Sequence, residues 1–163
     1  MTSKLVDLKT AIKLREELRQ VGKRVVFANG CFDVIHGGHV SYLQDARAYG
    51  DALFVAVNSD VSERGLKGPT RPIYGEQDRV AILAAIRFVD YLLLFDEPTV
   101  DHLLEALRPD AHAKGTDYTK ETVPEREVAE RLGIEVYIAG PPKENSSKTV
   151  IATVIERYGA EAD

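Results

Sequence analysis

Apolar residues recur along this chain in two rhythms. Leu5, Leu8, Ile12, Leu18 and Val21 fall near helical spacing and stop at Gly22, which predicts an N-terminal helix within residues 1–22. "RVVFA" (24–28) is a short unbroken β-branched run, the pattern of a strand buried on both faces. "ALFVAVN" (52–58) is a second such run. Between them, "HVSYLQDARAYG" (39–50) predicts a helix closed by Gly50. A strand–helix–strand unit of this kind almost always has a right-handed crossover.

The alternation continues. "SDVSERGLKGPTRPIYG" (59–75) mixes glycines, prolines and basic residues and predicts a loop. "EQDRVAILAAIRF" (76–88) predicts a helix and "DYLLLF" (90–95) a strand. "TVDHLLEALRP" (99–109) predicts a helix with Thr99 as N-cap and Pro109 as stop. "AHAKG" (111–115) is a short strand, and "VPEREVAERLG" (123–133) a helix with Pro124 in its first turn. "IEVYIAG" (134–140) is a strand and "SSKTVIATVIERYG" (146–159) the last helix, with serines at its start. The expected fold is a Rossmann-like α/β domain: a five-stranded, mostly parallel sheet covered by helices on both faces. One domain is expected over 1–163, with an N-terminal helix in 1–22 and an α/β core in 23–159. Ligands bind outside the carboxyl ends of the strands in such sheets. Three unusual loops fall there: 29–39, 114–118 and 140–149.

Composition narrows the chemistry. The net charge of -5 argues against a non-specific nucleic-acid binder but leaves room for a local basic pocket. Cys31 is the one cysteine, so neither an intrachain disulfide nor a CxxC zinc motif is possible, and a reducing cytoplasm fits. No apolar run is long enough to span a membrane. The N-terminal stretch is charged throughout, unlike a signal peptide.

"NGCFDVIHGGH" (29–39) carries the densest chemistry. A strand, a glycine-rich turn and a helix start make an anion site from free backbone N–H groups and the helix dipole. Gly30, Gly37 and Gly38 permit close approach, and His36 and His39 can donate charged hydrogen bonds to phosphate. Neither "GxxxxGK[ST]" nor "GxGxxG" is present. A zinc site of Cys31, Asp33, His36 and His39, a reactive Cys31 and an ordinary turn stay open on spacing alone.

The same stretch resembles the "GxFDxxHxGH" signature of the cytidylyltransferase-like nucleotidyltransferases. The likeness extends through "SYLQDARAYGDALFVAVNSD", "LKGPTRPI", "EQDRVAILAAI", "VDYLLLFDE" and "PDAHAKGTDY". Within the family the pattern is similar to the adenylyltransferases of ADP-heptose synthesis. Glycerol-3-phosphate cytidylyltransferases are similar in size and plan. The resemblance implies that a sugar 1-phosphate oxygen attacks the α-phosphorus of ATP and pyrophosphate leaves. It implies catalytic roles for His36, His39 and Lys67, and nucleotide contacts from Asn29, Gly30, Cys31, Phe32, Gly38 and Arg71. In "KGTDY" it implies nucleotide contacts from Lys114, Gly115 and Asp117 and a substrate contact from Tyr118. Asp33 would orient substrate or help hold Mg2+ beside the phosphates. Ser146, Ser147 and Thr149 would meet nucleotide phosphates at a helix start. Lys148 stands where a threonine is usual, and Ala28 replaces a threonine before "NG". Arg79 reads equally as a solvated charge or a functional cation. The implied partners are ATP and a sugar phosphate, with a homodimer and neither nucleic acid nor membrane. A nucleotide-binding regulatory module is the non-enzyme alternative, and the presence of both histidines favours the enzyme.

Overall fold

The structure is a computed structural model and describes residues 2–142 and 144–159. The remaining positions of the expected 1–163 domain (1, 143 and 160–163) lie outside the described residues.

Five strands form one sheet: β1 (Val25–Gly30), β2 (Ala52–Asn58), β3 (Tyr91–Phe95), β4 (Ala111–Gly115) and β5 (Glu135–Ala139). The order is β3-β2-β1-β4-β5 and every neighbouring pair is parallel. The unbroken apolar runs follow from this arrangement, because side chains alternate faces and both faces are covered. Val26, Ala28, Leu53, Val55 and Val57 pack on one side with Leu43 and Ala46 of α2 (Gly37–Ala48) and Val80 and Leu83 of α4 (Glu76–Ala85). Val25, Phe27, Phe54 and Ala56 pack on the other side. There they meet Ala11 of α1 (Leu8–Gln20), Leu103 and Leu104 of α5 (Asp101–Leu107) and Ala129 of α6 (Arg126–Leu132). Burying each large side chain of this core contributes about 1.5–3 kcal/mol.

The chain departs from the sequence expectations at several ends. The first helix starts only at Leu8. Residues 4–6 instead run along the outer edge of β3, where Val6 N–H donates to the Leu92 carbonyl and Leu92 N–H to that of Lys4. The expected loop 59–75 opens with a helix, α3 (Asp60–Lys67), capped by the Ser59 hydroxyl. Its buried residues are Ser62 and Glu63, so the apolar rhythm that reveals a helix is missing. Thr99 is not the N-cap of α5, which begins after Val100 without a side-chain cap. Pro124 precedes α6 rather than sitting in its first turn. Helix α2 begins at Gly37, two residues earlier than expected. Gly50 follows α2, but as a close-approach residue: a Cβ there would lie 2.7 Å from Val26 Cγ2 and 2.9 Å from the Arg24 carbonyl oxygen.

The strand order creates the site. The chain builds outward from β1 through β2 to β3, then returns to the opposite side of β1 with β4. Connections above β1 and β4 therefore part in opposite directions and leave a crevice at their carboxyl ends.

Gly50→Ala should cost about 1–3 kcal/mol through overpacking against β1. Urea unfolding measures this, and an unchanged midpoint would contradict the close approach.

Candidate active site

A cleft of about 1000 Å³ opens at that crevice. One wall is the turn from β1 into α2. His36 is the N-cap of α2, and its Nδ1 accepts from the N–H of Gly38. The His39 Nδ1 accepts from the N–H of His36 in return, closing a capping box. Since Nδ1 of each ring accepts, the imidazole proton of each sits on Nε2. The rings lie 4.1 Å apart between centroids. The motif thus supplies N–H donors in fixed positions, where the sequence suggested charged histidines. Gly38 is required by this cap, because a Cβ there would meet His36 Cε1 at 2.9 Å.

Asp33 sits inside the same turn with its side chain fully buried. It accepts hydrogen bonds from Arg71 Nε (2.7 Å) and from the backbone N–H groups of Ile73 (2.7 Å) and Tyr74 (2.9 Å). Burial works to raise its pKa. The Tyr74 and Ile73 N–H groups and the Arg71 guanidinium outweigh burial and hold the carboxyl below the ordinary value. Both oxygens are committed to the 71–74 segment, which does not fit a carboxylate holding Mg2+. Among the described residues no three His, Cys, Asp or Glu side chains form a metal set, which also argues against the zinc alternative. Burial pushes the Cys31 thiol up, so it stays protonated at neutral pH rather than serving as a nucleophile.

Behind Asp33 lies a buried ion cluster. Glu63 is fully buried, with Arg79 Nη1 at 3.3 Å, Arg71 Nη2 at 3.5 Å and Lys67 Nζ at 3.9 Å. Burial raises the Glu63 pKa against the pull of Lys67 and Arg79. Arg79, fully buried, is neither a solvated charge nor a cleft residue. It donates to the carbonyls of Cys31 (2.6 Å), Asn58 (2.7 Å) and Tyr74 (3.0 Å) and to Asp60 Oδ1 (2.8 Å). Lys67 and Arg71 are the cations of this cluster that line the cleft.

The far wall comes from β4, β5 and the start of α7 (Ser147–Tyr158). Ser146 caps α7 by accepting from Thr149 N–H, and the Ser147 hydroxyl donates to the Asp33 carbonyl. Of the sequence-predicted residues, Asn29, Gly30, Cys31, Phe32 and Asp33 line the cleft with His36, Gly38 and His39. Gly115, Asp117, Tyr118, Ser146 and Ser147 line it too. Lys114 and Thr149 do not. Lys114 is buried in β4, where it meets Glu125 Oε2 at 3.4 Å and lies 4.8 Å from the Tyr118 ring centre. Thr149 is turned toward the Ser146 hydroxyl, whereas Lys148 does face the cleft.

With this geometry in view, the comparisons with known proteins are decisive. The sequence model of the cytidylyltransferase-like family matches residues 27–147, from β1 to the first residue of α7. The chain belongs to the cytidylyltransferase-like family. It is a nucleotidyltransferase. The bifunctional protein HldE of Syntrophotalea carbinolica is 45% identical over 165 residues, covering 97% of this chain and 34% of that protein. HldE of Geobacter sulfurreducens is 48% identical over 140 residues, covering 86% of this chain and 29% of that protein. The chain thus spans about a third of the length of these curated relatives. Among solved structures, the lipopolysaccharide core biosynthesis protein of Thermoplasma volcanium superposes with TM-score 0.63 at 26% identity. That match covers 75% of this chain and all of the other. The pantoate-beta-alanine ligase of Francisella tularensis, complexed with Beta-gamma ATP and Beta-alanine, gives TM-score 0.63 at 17% identity, a likeness of fold. It covers 90% of this chain and 69% of that chain.

Sequence reasoning missed several residues of this cytidylyltransferase-like site. Tyr42 lines the cleft and donates to the Ala113 carbonyl at 2.8 Å. Its position three after His39 on α2 was the available signal. Gly140 turns the chain off β5, with its N–H donating to Asp45 Oδ2. Glu63 carried no signal, because its segment read as a loop.

Asp33→Asn should cost about 3 kcal/mol at pH 7, since it unpairs Arg71 and sets an amide against backbone N–H donors. A carboxyl with a lowered folded pKa stabilises above its ordinary value, near 4, and loses that contribution as pH falls through the folded value. The gap between wild type and variant in thermal melts should therefore shrink below about pH 4. A gap constant from pH 7 to pH 3 would contradict the assignment.

Proposed function

We propose that this nucleotidyltransferase transfers AMP from ATP to a heptose 1-phosphate, releasing pyrophosphate and giving ADP-heptose for surface-glycan synthesis. What supports the reading is the convergence, on one cleft, of two histidine Nε2–H donors, two cations and the N-termini of two helices. Such a set suits two phosphate-bearing substrates, with a phosphate oxygen of the acceptor serving as the nucleophile. The likeness to HldE points to the heptose class.

In this reading a phosphate oxygen of the sugar attacks the α-phosphorus of ATP in line. The bond from that phosphorus to the bridging oxygen breaks, and the β- and γ-phosphates leave as pyrophosphate. His36 and His39 donate through Nε2 to the phosphate oxygens as charge shifts onto the leaving group. Lys67 and Arg71 meet the phosphate charge from the side of α3. The start of α7, with Ser146 and Lys148, receives the outer phosphates through backbone N–H groups. Phosphate-borne Mg2+ would neutralise charge on ATP, but Asp33 is an anchor in this scheme rather than a ligand. The whole described α/β core acts as one catalytic domain, working as a homodimer in the cytoplasm.

Pyrophosphate release, assayed with ATP or CTP against heptose 1-phosphate or glycerol 3-phosphate, tests the proposal. Turnover with ATP and heptose 1-phosphate is expected. Preference for CTP and glycerol 3-phosphate would establish a cytidylyltransferase, and nucleotide binding without turnover a regulatory module. His36→Ala should cost about 1 kcal/mol of stability as a lost cap. Either His36→Ala or His39→Ala should lower kcat about 100-fold or more. Activity loss no greater than the stability loss explains would contradict their role.

A further inference from the structure

His112 lies in β4 beside Phe27 of β1 and is wholly buried. Its ring packs on Phe27 at 5.6 Å between centroids, and its Nε2 stands 2.8 Å from Asn29 Oδ1. Asn29 is two residues beyond Phe27 on β1, so its side chain leaves the same face of the sheet, at the strand's end in the cleft. A histidine here is costly. Its Nδ1 is buried without a hydrogen-bond partner, a penalty that valine or leucine would avoid.

Burial, reinforced by Lys114, pushes the His112 pKa down to about 3, so the ring is neutral and carries one proton. Two arrangements are open to such a ring. With the proton on Nε2 it donates to Asn29 Oδ1 and leaves Nδ1 as a bare acceptor. With the proton on Nδ1 it would bury an orphaned N–H and need the Asn29 amide reversed. Orphaned buried N–H groups are rarer than under-satisfied acceptors, which favours the first. That bond occupies the amide oxygen of Asn29 and leaves its NH2 to face the cleft.

We propose that His112 is a positioning residue whose Nε2–H orients Asn29, so that the Asn29 amide NH2 donates to an acceptor atom of the bound nucleoside triphosphate. The role rests on the nucleotidyltransferase reading of the cleft. It makes Asn29 a donor of fixed sense, where an asparagine unsupported from behind could present either end.

ATP binding by calorimetry to wild type, His112→Leu, His112→Gln, Asn29→Ala and the double variant His112→Leu/Asn29→Ala tests the role. The tautomer of His112 in the wild type is read separately by long-range 15N NMR. His112→Leu should weaken ATP binding about tenfold. His112→Gln, whose amide can supply the same N–H, should bind within about threefold of wild type. Asn29→Ala should lose about as much as His112→Leu, and the double variant no more than Asn29→Ala. The NMR spectrum should show the Nε2–H tautomer at pH 6 and pH 8 alike. Wild-type affinity in His112→Leu, multiplied losses in the double variant or an Nδ1–H tautomer would each overturn the proposal. If His112→Leu does not fold, His112→Gln decides: affinity as weak as in Asn29→Ala overturns it. A wild type that binds no ATP would overturn the cleft reading itself. That result is distinct from a wild type that binds while His112→Leu binds equally well.

Discussion

The site depends on the carboxylate of Asp33. It lies between two non-glycine residues in the left-handed region, Phe32 at φ 53° and Val34 at φ 51°. Such conformations cost on the order of 1–3 kcal/mol each, and a β-branched valine is seldom found there. Three hydrogen bonds to a charged acceptor, about 1.5–3 kcal/mol each, are of the size needed to hold the turn. The turn therefore depends on Arg71 and the Ile73–Tyr74 backbone staying in place. The segment that brings Lys67 and Arg71 to the cleft is thereby the segment that holds the histidine turn.

Arg79 closes the other side of this arrangement. One buried guanidinium gathers carbonyls from the β1 turn, the end of β2 and the stretch before α4, together with Asp60 and Glu63. The described cluster has three cations, Lys67, Arg71 and Arg79, against three carboxylates, Asp33, Asp60 and Glu63. Burying Asp33, Glu63, Arg71 and Arg79 is expensive, and the return is geometric: strand ends and loop are fixed relative to one another by directional bonds. Lys67 and Arg71, the cations of this cluster that line the cleft, are thereby held in place by the fold itself.

The side chains that cap α2 and α7 are also ones that line the cleft. His36 and His39 complete the first turn of α2 through their Nδ1 atoms, which sets their Nε2–H groups. Ser146 and Ser147 likewise finish α7 and tie it to Asp33. Side chains that a helix start already immobilises lose little further entropy on meeting a phosphate.

Local order was legible in the sequence. The runs at 24–28, 52–58, 90–95, 111–115 and 134–140 announced five strands, and the two unbroken ones, 24–28 and 52–58, announced the buried centre, because central strands of a parallel sheet covered on both faces need continuous apolar stretches. The HxGH turn was legible because glycine and histidine spacing is a local property of one strand–helix junction. Only the tertiary structure decided the roles that depend on what lies opposite a side chain. Helix α3 hid because its inward residues are Ser62 and Glu63, whose partners Asn58, Glu97, Arg71 and Arg79 come mostly from other segments. Lys114 was drawn away from the cleft by Glu125, Asp33 was claimed by Arg71, and Arg79 was buried by partners up to 48 residues away. Period and propensity report a residue's own backbone and its near neighbours. The partner of a buried charge is fixed by chain topology, so no local pattern carries it.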